Sequence, residues 1–285
     1  MIFVKWFTTK GWRHTVAWAA CFFALFPLYM IVLTSFKKTT SLQVGSFLPT
    51  GFSLSNFDEL LSNPLIPFYT WMSNSVVISL IVSVLSVFVG AASAFAFSRL
   101  RFKGKKGSIQ LLLLIQMFPS VLALAAVYSI MERVQIFAPG LGLGTIGGLI
   151  LVYLGGAMGV NIWLLKGFVD SIPIELDEAA RVDGASPMQI YWRIFMPLAS
   201  PVLAVVCLLT FIGIFNEYIL AALFLTDPSQ QTVAVGLRAF IGGQFETNWG
   251  PFAAGSLLTS LPIVILFLSL QKYIINGLTA GAVKG

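Results

Sequence analysis

Six long runs dominated by apolar side chains decide what this chain can fold into. They cover His14–Phe36, Trp71–Ser98, Ser108–Met131, Thr145–Leu165, Val202–Leu225 and Phe252–Ile275. A bilayer core takes roughly 20 apolar residues per helix. Lipid offers no water to backbone N–H and C=O groups, so such runs must close their hydrogen bonds internally, as helices. None alternates apolar and polar residues as a strand of a membrane barrel would. Composition agrees: 58% of residues are hydrophobic and 10% charged, against about 25% charged in an ordinary soluble domain. With a mean hydropathy of +0.91, the chain has too few ions to cover a soluble surface. A soluble enzyme and a disordered chain are both excluded. The expected fold is an all-α integral membrane protein of six transmembrane helices, residues 1–285 forming a single transmembrane domain.

Lys5, Lys10 and Arg13 precede the first run, as in a signal peptide. The run exceeds the 7–15 apolar residues of a signal-peptide core, so it is read as a retained span. Basic residues on short loops set orientation. With the N-terminus inside, thirteen of the 17 Lys and Arg residues fall on inner segments, and only Lys37, Lys38, Arg133 and Arg238 fall outside. Both termini are therefore expected in the cytoplasm of a multi-pass membrane protein. The net charge of +6 and the basic run Arg99–Lys106 serve as a topology anchor rather than a nucleic-acid surface. Cys21 and Cys207 lie inside apolar runs, and His14 is the only histidine. No disulfide framework, His-based metal site or other metal site is expected.

The most informative extramembrane segment is Lys166–Pro201. Pro173 suits the first position of a helix, and Glu175, Asp177 and Glu178 load that helix's start with the negative charge its dipole prefers. Gly184 follows Asp183 where a left-handed turn would end the helix. Ser186-Pro187-Met188-Gln189 reads as a second start, with Ser186 as N-cap and Gln189 closing a capping box; Pro197 and Pro201 are expected to end it before the next span. Helix, glycine elbow and helix make a rigid knob of the kind that docks in another protein's groove, where a plain connector would need no elbow.

Those residues carry a resemblance. Glu178-Ala179-Ala180, Asp183-Gly184-Ala185, Ile194 and Met196-Pro197-Leu198 resemble the EAA loop of the membrane subunits of binding-protein-dependent ABC importers. Asn74-Ser75, Gly142–Tyr153, Asn216-Glu217-Tyr218, Trp249-Gly250 and Gln271-Lys272-Tyr273 are similar to the sugar-uptake branch, with Phe215 where that branch often has Trp. The tail from Gly277 to Gly285 is similar to the second permease subunit of maltose/maltodextrin importers. The resemblance implies a type I importer permease in a prokaryotic inner or plasma membrane. It would form half of a path for maltose, maltodextrin or a related oligosaccharide. Its implied partners are a second homologous permease, two cytoplasmic ATPase subunits that carry ATP and Mg, and an extracytoplasmic sugar-binding protein. Glu178 would pair with a basic residue of the ATPase, Ala179 and Ala180 would permit close approach, Gly184 would form the elbow, and Asp183 and Ala185 would complete the ATPase-coupling set. Gly281, Ala282, Val283 and Lys284, in the expected cytoplasmic tail 276–285, would also touch the ATPase.

Other chemistry is sparse. Gly142–Gly147 matches GxGxxG by letter, but a Pro139-Gly140 turn precedes it where a strand is required, and no acid follows before Asp170. Turn formation and close helix packing explain it better. No GxxxxGK[ST] is present, so no ATP site, catalytic residue or cofactor is expected on this chain. Glu217 is the only acid within an expected span. It is either a pathway residue beside Asn216 and Tyr218 or an interhelical hydrogen-bonding residue. Gln116 and Asn161 pose the same choice. The rival function is an ion-coupled secondary transporter that uses Glu217; a membrane-embedded enzyme would need a nucleophile or metal constellation that is missing from the sequence.

Overall fold

The computed structural model describes residues 11–37, 51–241 and 248–282, without the side chains of residues 120, 158 and 276–282. Its helices are α1 (Trp12–Ser35), α2 (Ser55–Ser62), α3 (Phe68–Arg99), α4 (Lys105–Met117), α5 (Ser120–Phe137), α6 (Ile146–Ser171), α7 (Glu175–Val182) and α8 (Pro187–Ile190). After a π turn at Tyr191–Phe195 come α9 (Met196–Phe215), α10 (Ile219–Phe224), α11 (Val233–Arg238) and α12 (Trp249–Ala282). Among the described residues there is no strand. Among the described residues four helices are long and apolar enough to cross a membrane: α1, α3, the continuous Pro187–Phe215 rod and α12 over Trp249–Ile275. The total reaches 6 if α4 with α5, and the two halves of α6, each count as one bent span.

The α4–α5 bend is 104° and has a local cause. Proline crowds the residue before it out of the helical region, and Phe118, which precedes Pro119, is extended at φ −74°, ψ 127°. The expected Val202–Leu225 run also departs from one straight helix: α9 stops at Phe215 and α10 restarts at Ile219. No proline or glycine sits at that break, so periodicity alone could not reveal it. Proline positions differ as well. Pro173 lies two residues before the start of α7 at Glu175. Pro197 and Pro201 do not terminate a helix: Pro197 sits in the first turn of α9 and Pro201 inside it. For Pro197 the π turn accounts for this, because Arg193, whose carbonyl its ring would meet, lies in the widened turn; Pro201 lies beyond that turn, inside α9.

Two compact units divide the chain. The first comprises Met1–Phe68 and Gly236–Leu261. There the buried Asn56 of α2 donates from Nδ2 to the carbonyls of Ser35 at 3.0 Å and Lys37 at 2.8 Å, tying α2 to the end of α1. Gly250 passes so close that an added Cβ would lie 2.3 Å from Asn56 Oδ1, and Asn248 donates to Glu59 at 3.2 Å.

The second unit comprises Tyr69–Val235 and Pro262–Gly285, and α3 runs through it. One α3 face buries Ser75, Ser79, Ser83 and Ser86, then Ala91 and Ala94. Small side chains let membrane helices approach closely. At one end, Trp71 Nε1 donates to Pro228 O at 2.9 Å, Asn74 to Ser229 O at 3.2 Å and Gln231 O at 3.0 Å, and Ser75 Oγ accepts from Val233 N at 2.8 Å. One helical turn thus holds the segment 228–233. Midway, Ile78 and Val82 pack with Leu149 and Tyr153 of α6 and with Ala221 and Phe224 of α10. Toward its other end, Ala91, Ala94 and Phe95 pack with Leu165 and Val169 of α6, Tyr191 and Phe195 of the π turn, and Ala199 of α9.

Candidate functional site

The α7–α8 hairpin is built from local chemistry. Glu175, Asp177 and Glu178 occupy the first turn of α7. At its end, Ala185 N donates to Ala180 O at 2.9 Å and Gly184 N to Arg181 O at 3.0 Å, the paired bonds of a Schellman cap. Gly184 has φ +82°, a conformation that costs other residues roughly 1–2 kcal/mol. Ser186 then caps α8: its Oγ accepts from Gln189 N at 3.3 Å, and Gln189 Oε1 accepts from Ser186 N at 2.7 Å. These four hydrogen bonds all close between Ala180 and Gln189, so the elbow is held by its own local chemistry.

The hairpin's faces divide the residues singled out from sequence. Glu178, Ala179, Asp183 and Gly184 are exposed. Ala180 and Ala185 instead pack against the chain's own core beside Ile190 and Phe195. Exposed apolar side chains accompany them: Ile174 at 53% and Val182 at 88%, both expected from sequence as apolar contacts of the loop, with Leu176 at 44% and Met188 at 64%. An apolar face around one acid and a tight elbow is suited to a hydrophobic groove with a basic residue at its rim.

Behind the hairpin lies a polar junction. Arg99, the last residue of α3, places Nε 2.6 Å from Asp177 Oδ2, with 7% and 4% of the two side chains exposed. The contact is an ion pair set off the N–H axis rather than an aligned hydrogen bond. Its second nitrogen donates to Ile172 O at 2.6 Å. Adjacent Ser98 donates to Asp170 Oδ1 at 2.5 Å, and Lys166 pairs with the other oxygen of Asp170. The sequence treats Arg99 only as a member of a basic run, since nothing local links it to Asp177.

At the break between α9 and α10, the three expected pathway residues have different surroundings. Both carboxyl oxygens of Glu217 accept hydrogen bonds: Oε1 from Leu220 N at 2.9 Å, Oε2 from Ala221 N at 3.1 Å and from the Tyr153 hydroxyl of α6. Glu217 thus caps the helix that follows it and joins that helix to α6. Asn216 is exposed, and its amide folds back onto Ile212 O at 2.8 Å. Tyr218 is also exposed, at 41%. Asn161 donates to Thr210 at 3.1 Å, joining α6 to α9. Together with Ala157, Val160, Leu209 and Gly213, these two line a largely apolar groove of about 280 Å³.

The glycine-rich Gly142–Gly147 segment packs on itself. A Cβ on Gly147 would lie 2.4 Å from Gly140 O, and one on Gly148 would lie 2.1 Å from Gly142 O. Thr145 caps α6 by accepting from Gly148 N at 3.0 Å. That is a turn packed onto a helix start: Gly142 lies against Gln135 of α5, Gly144 takes φ +73°, and Gly147 and Gly148 lie against the turn's own carbonyls. Gly281 and Ala282 close the backbone of α12, and Val283 and Lys284 lie outside the described residues.

Residues 86–279 match the family described as binding-protein-dependent transport system inner membrane component. The match spans the hairpin, the Arg99 junction and the helix break. The chain belongs to that family. This inner membrane component is also similar, over nearly its whole length, to maltose/maltodextrin transport system permease proteins MalG. It is 42% identical to that of Vibrio vulnificus (strain YJ016) over 283 residues, 95% of each chain. It is 39% identical to that of Escherichia coli (strain K12) over 272 residues, 92% of this chain and 91% of the other. A solved bacterial ABC transporter, involved in the import of the acidic polysaccharide alginate, shares the fold at a TM-score of 0.74. That match has 23% identity and covers 92% of this chain and 94% of the other. The inner membrane component is thus a multi-pass subunit of a transport system and not an enzyme.

Proposed function

We propose that the chain is one of two permease subunits of an ABC importer that carries maltose, maltodextrin or a related oligosaccharide. The supporting relatives, at 42% and 39% identity, are maltose/maltodextrin permeases across more than nine-tenths of their length. The observation that carries the mechanism is the self-capped α7–α8 hairpin, with Glu178, Ala179, Val182 and Met188 exposed around the Gly184 elbow. In this reading the hairpin and both termini lie in the cytoplasm, as the distribution of Lys and Arg favours. The hairpin seats in an apolar cleft of an ATPase subunit, and Glu178 pairs with a cation at the cleft's edge. ATP and Mg bind to two such ATPase subunits. A second, homologous permease forms the other half of the path, and an extracytoplasmic binding protein delivers the sugar. Gly281–Lys284 makes a further ATPase contact. Tyr218 offers an aromatic face to a sugar ring, while Glu217 maintains the helix break beside it. No observation favours ion coupling through Glu217, whose two carboxyl oxygens are already occupied by three donors.

The test is uptake of labelled maltodextrin by proteoliposomes holding both permeases, the ATPase subunits and the binding protein. Uptake should require internal ATP and external binding protein, and should survive collapse of ion gradients. Uptake by the lone chain, driven by a gradient without ATP, would refute the reading.

A further inference from the structure

Arg99, at the end of α3, meets the junction of α6 and α7, more than seventy residues further along the chain. Its guanidinium holds Asp177, in the first turn of α7, and the carbonyl of Ile172, in the link between α6 and α7. Its neighbour Ser98 holds Asp170 in the last turn of α6, which Lys166 also grips. The end of α3 is thereby fastened to the base of the hairpin on both sides of the α6–α7 link.

Net stability does not explain such a pair. Moving two charges out of water costs about as much as their attraction returns, and apolar residues of similar size often serve as well. The pair differs from apolar packing in what else it holds: the Asp177 contact is a charge attraction off the N–H axis, while the planar guanidinium donates a directional hydrogen bond to a second acceptor. Here that second acceptor is a backbone carbonyl. The arrangement therefore fixes where α7 sits against α3, beyond simply holding the two together.

We infer that Arg99 is a positioning residue: through Asp177 and Ile172 it locks the hairpin to α3, so that force arriving at the hairpin moves α3 together with α9. The inference rests on the proposal that the hairpin docks an ATPase. By covalent continuity alone, the Pro187–Phe215 rod would carry that force into the membrane. The Arg99 junction adds a second route through α3, whose far end holds the 228–233 segment by four hydrogen bonds. An ATPase stroke would then reach both ends of the second unit through one rigid helix.

The whole transporter, reconstituted in proteoliposomes, tests this with Asp177→Asn, which keeps size and removes charge, and with Arg99→Gln and Arg99→Lys. Three quantities are read: ATPase subunits retained on purification, ATP hydrolysis, and sugar taken up per ATP. Asp177→Asn and Arg99→Gln should retain the ATPase and hydrolyse ATP, while uptake per ATP falls by at least about tenfold, since removing one partner of a buried pair costs more than that factor. Arg99→Lys, which keeps the charge but loses the fork, should recover part of that ratio. Assembled variants with the wild-type ratio would overturn the inference. If Asp177→Asn does not reach the membrane, Arg99→Lys carries the same test, and a wild-type ratio there is equally fatal. Gly184→Val is the control for the underlying proposal. If it retains both ATPase and full uptake, docking at the hairpin has failed, a result distinct from assembled Arg99 variants that remain coupled.

Discussion

Replacing Glu217 with Gln separates a structural carboxyl group from an ion-coupling one. Glu217 has two acceptor oxygens serving three donors: the N–H groups of Leu220 and Ala221 and the hydroxyl of Tyr153. Glutamine has one acceptor oxygen and an NH2 group. Its best placement puts the oxygen toward Ala221 and Tyr153 and turns the NH2 toward Leu220, donor against donor. Leaving a buried donor unmet costs roughly 1–3 kcal/mol, and Glu217 is only half-buried. The expected cost is therefore about 1–2 kcal/mol, a factor of about 5–30 in the population of the correctly broken helix. Uptake by reconstituted transporter should fall by no more than that factor, still require ATP and remain insensitive to an uncoupler. Glu217→Ala, which abandons all three donors, should fall further and melt earlier. The reasoning is refuted if Glu217→Gln assembles and melts like wild type but has no uptake, or if Glu217→Ala behaves like Glu217→Gln.

Three further outcomes follow from particular contacts. Gly184→Val forces a branched residue to φ +82° with nothing within 4 Å of its Cβ, so the strain is local. At roughly 1–2 kcal/mol or more, it should detach the ATPase in co-purification while membrane insertion stays normal. Glu178 is exposed; Glu178→Lys should impair ATP-driven uptake well beyond Glu178→Gln, and equal mild effects would mean that no cation faces it. Gly250→Ala should dislodge Asn56, whose Oδ1 lies 2.3 Å from the new Cβ. Its amide would then release the carbonyls at the end of α1, with a loss of about 1–3 kcal/mol visible as a lower Tm in detergent. An unchanged Tm would show that the contact relaxes freely.

What the sequence conveyed follows from how far each interaction reaches. The apolar runs, the Gly184 elbow and the Ser186–Gln189 capping box depend on residues within a turn of one another, and short-range chemistry identifies them. Features that depend on distant partners were hidden. Asp177 reads as a dipole-favoured acid until α3 brings Arg99 to it. Ala179 and Ala180 are identical as letters, yet packing turns one outward and the other onto the core. The break at Asn216–Tyr218 has neither proline nor glycine; it exists because Glu217 caps the next helix and Tyr153 holds that cap. Asn74 and Ser75 counted only toward a resemblance, and the structure supplies their reason in the backbone of residues 229–233.

The π turn at Tyr191–Phe195 has a consequence for rotational phase. On the rod's core-facing side Ile190 and Phe195 are both buried, as are Ala199 and Leu203 further along. The last three repeat every four residues, and buried Tyr191 continues that repeat, but Ile190 lies five before Phe195. Five residues along an ordinary α-helix place side chains about 140° apart, which would swing Ile190 away from the core that Phe195 faces. The widened turn absorbs one extra residue and brings both back into line. The compass bearing of the hairpin about the rod is therefore set by the number of residues in that one turn, so gaining or losing a single residue there would re-aim the whole Glu175–Ile190 hairpin without altering a residue on its surface.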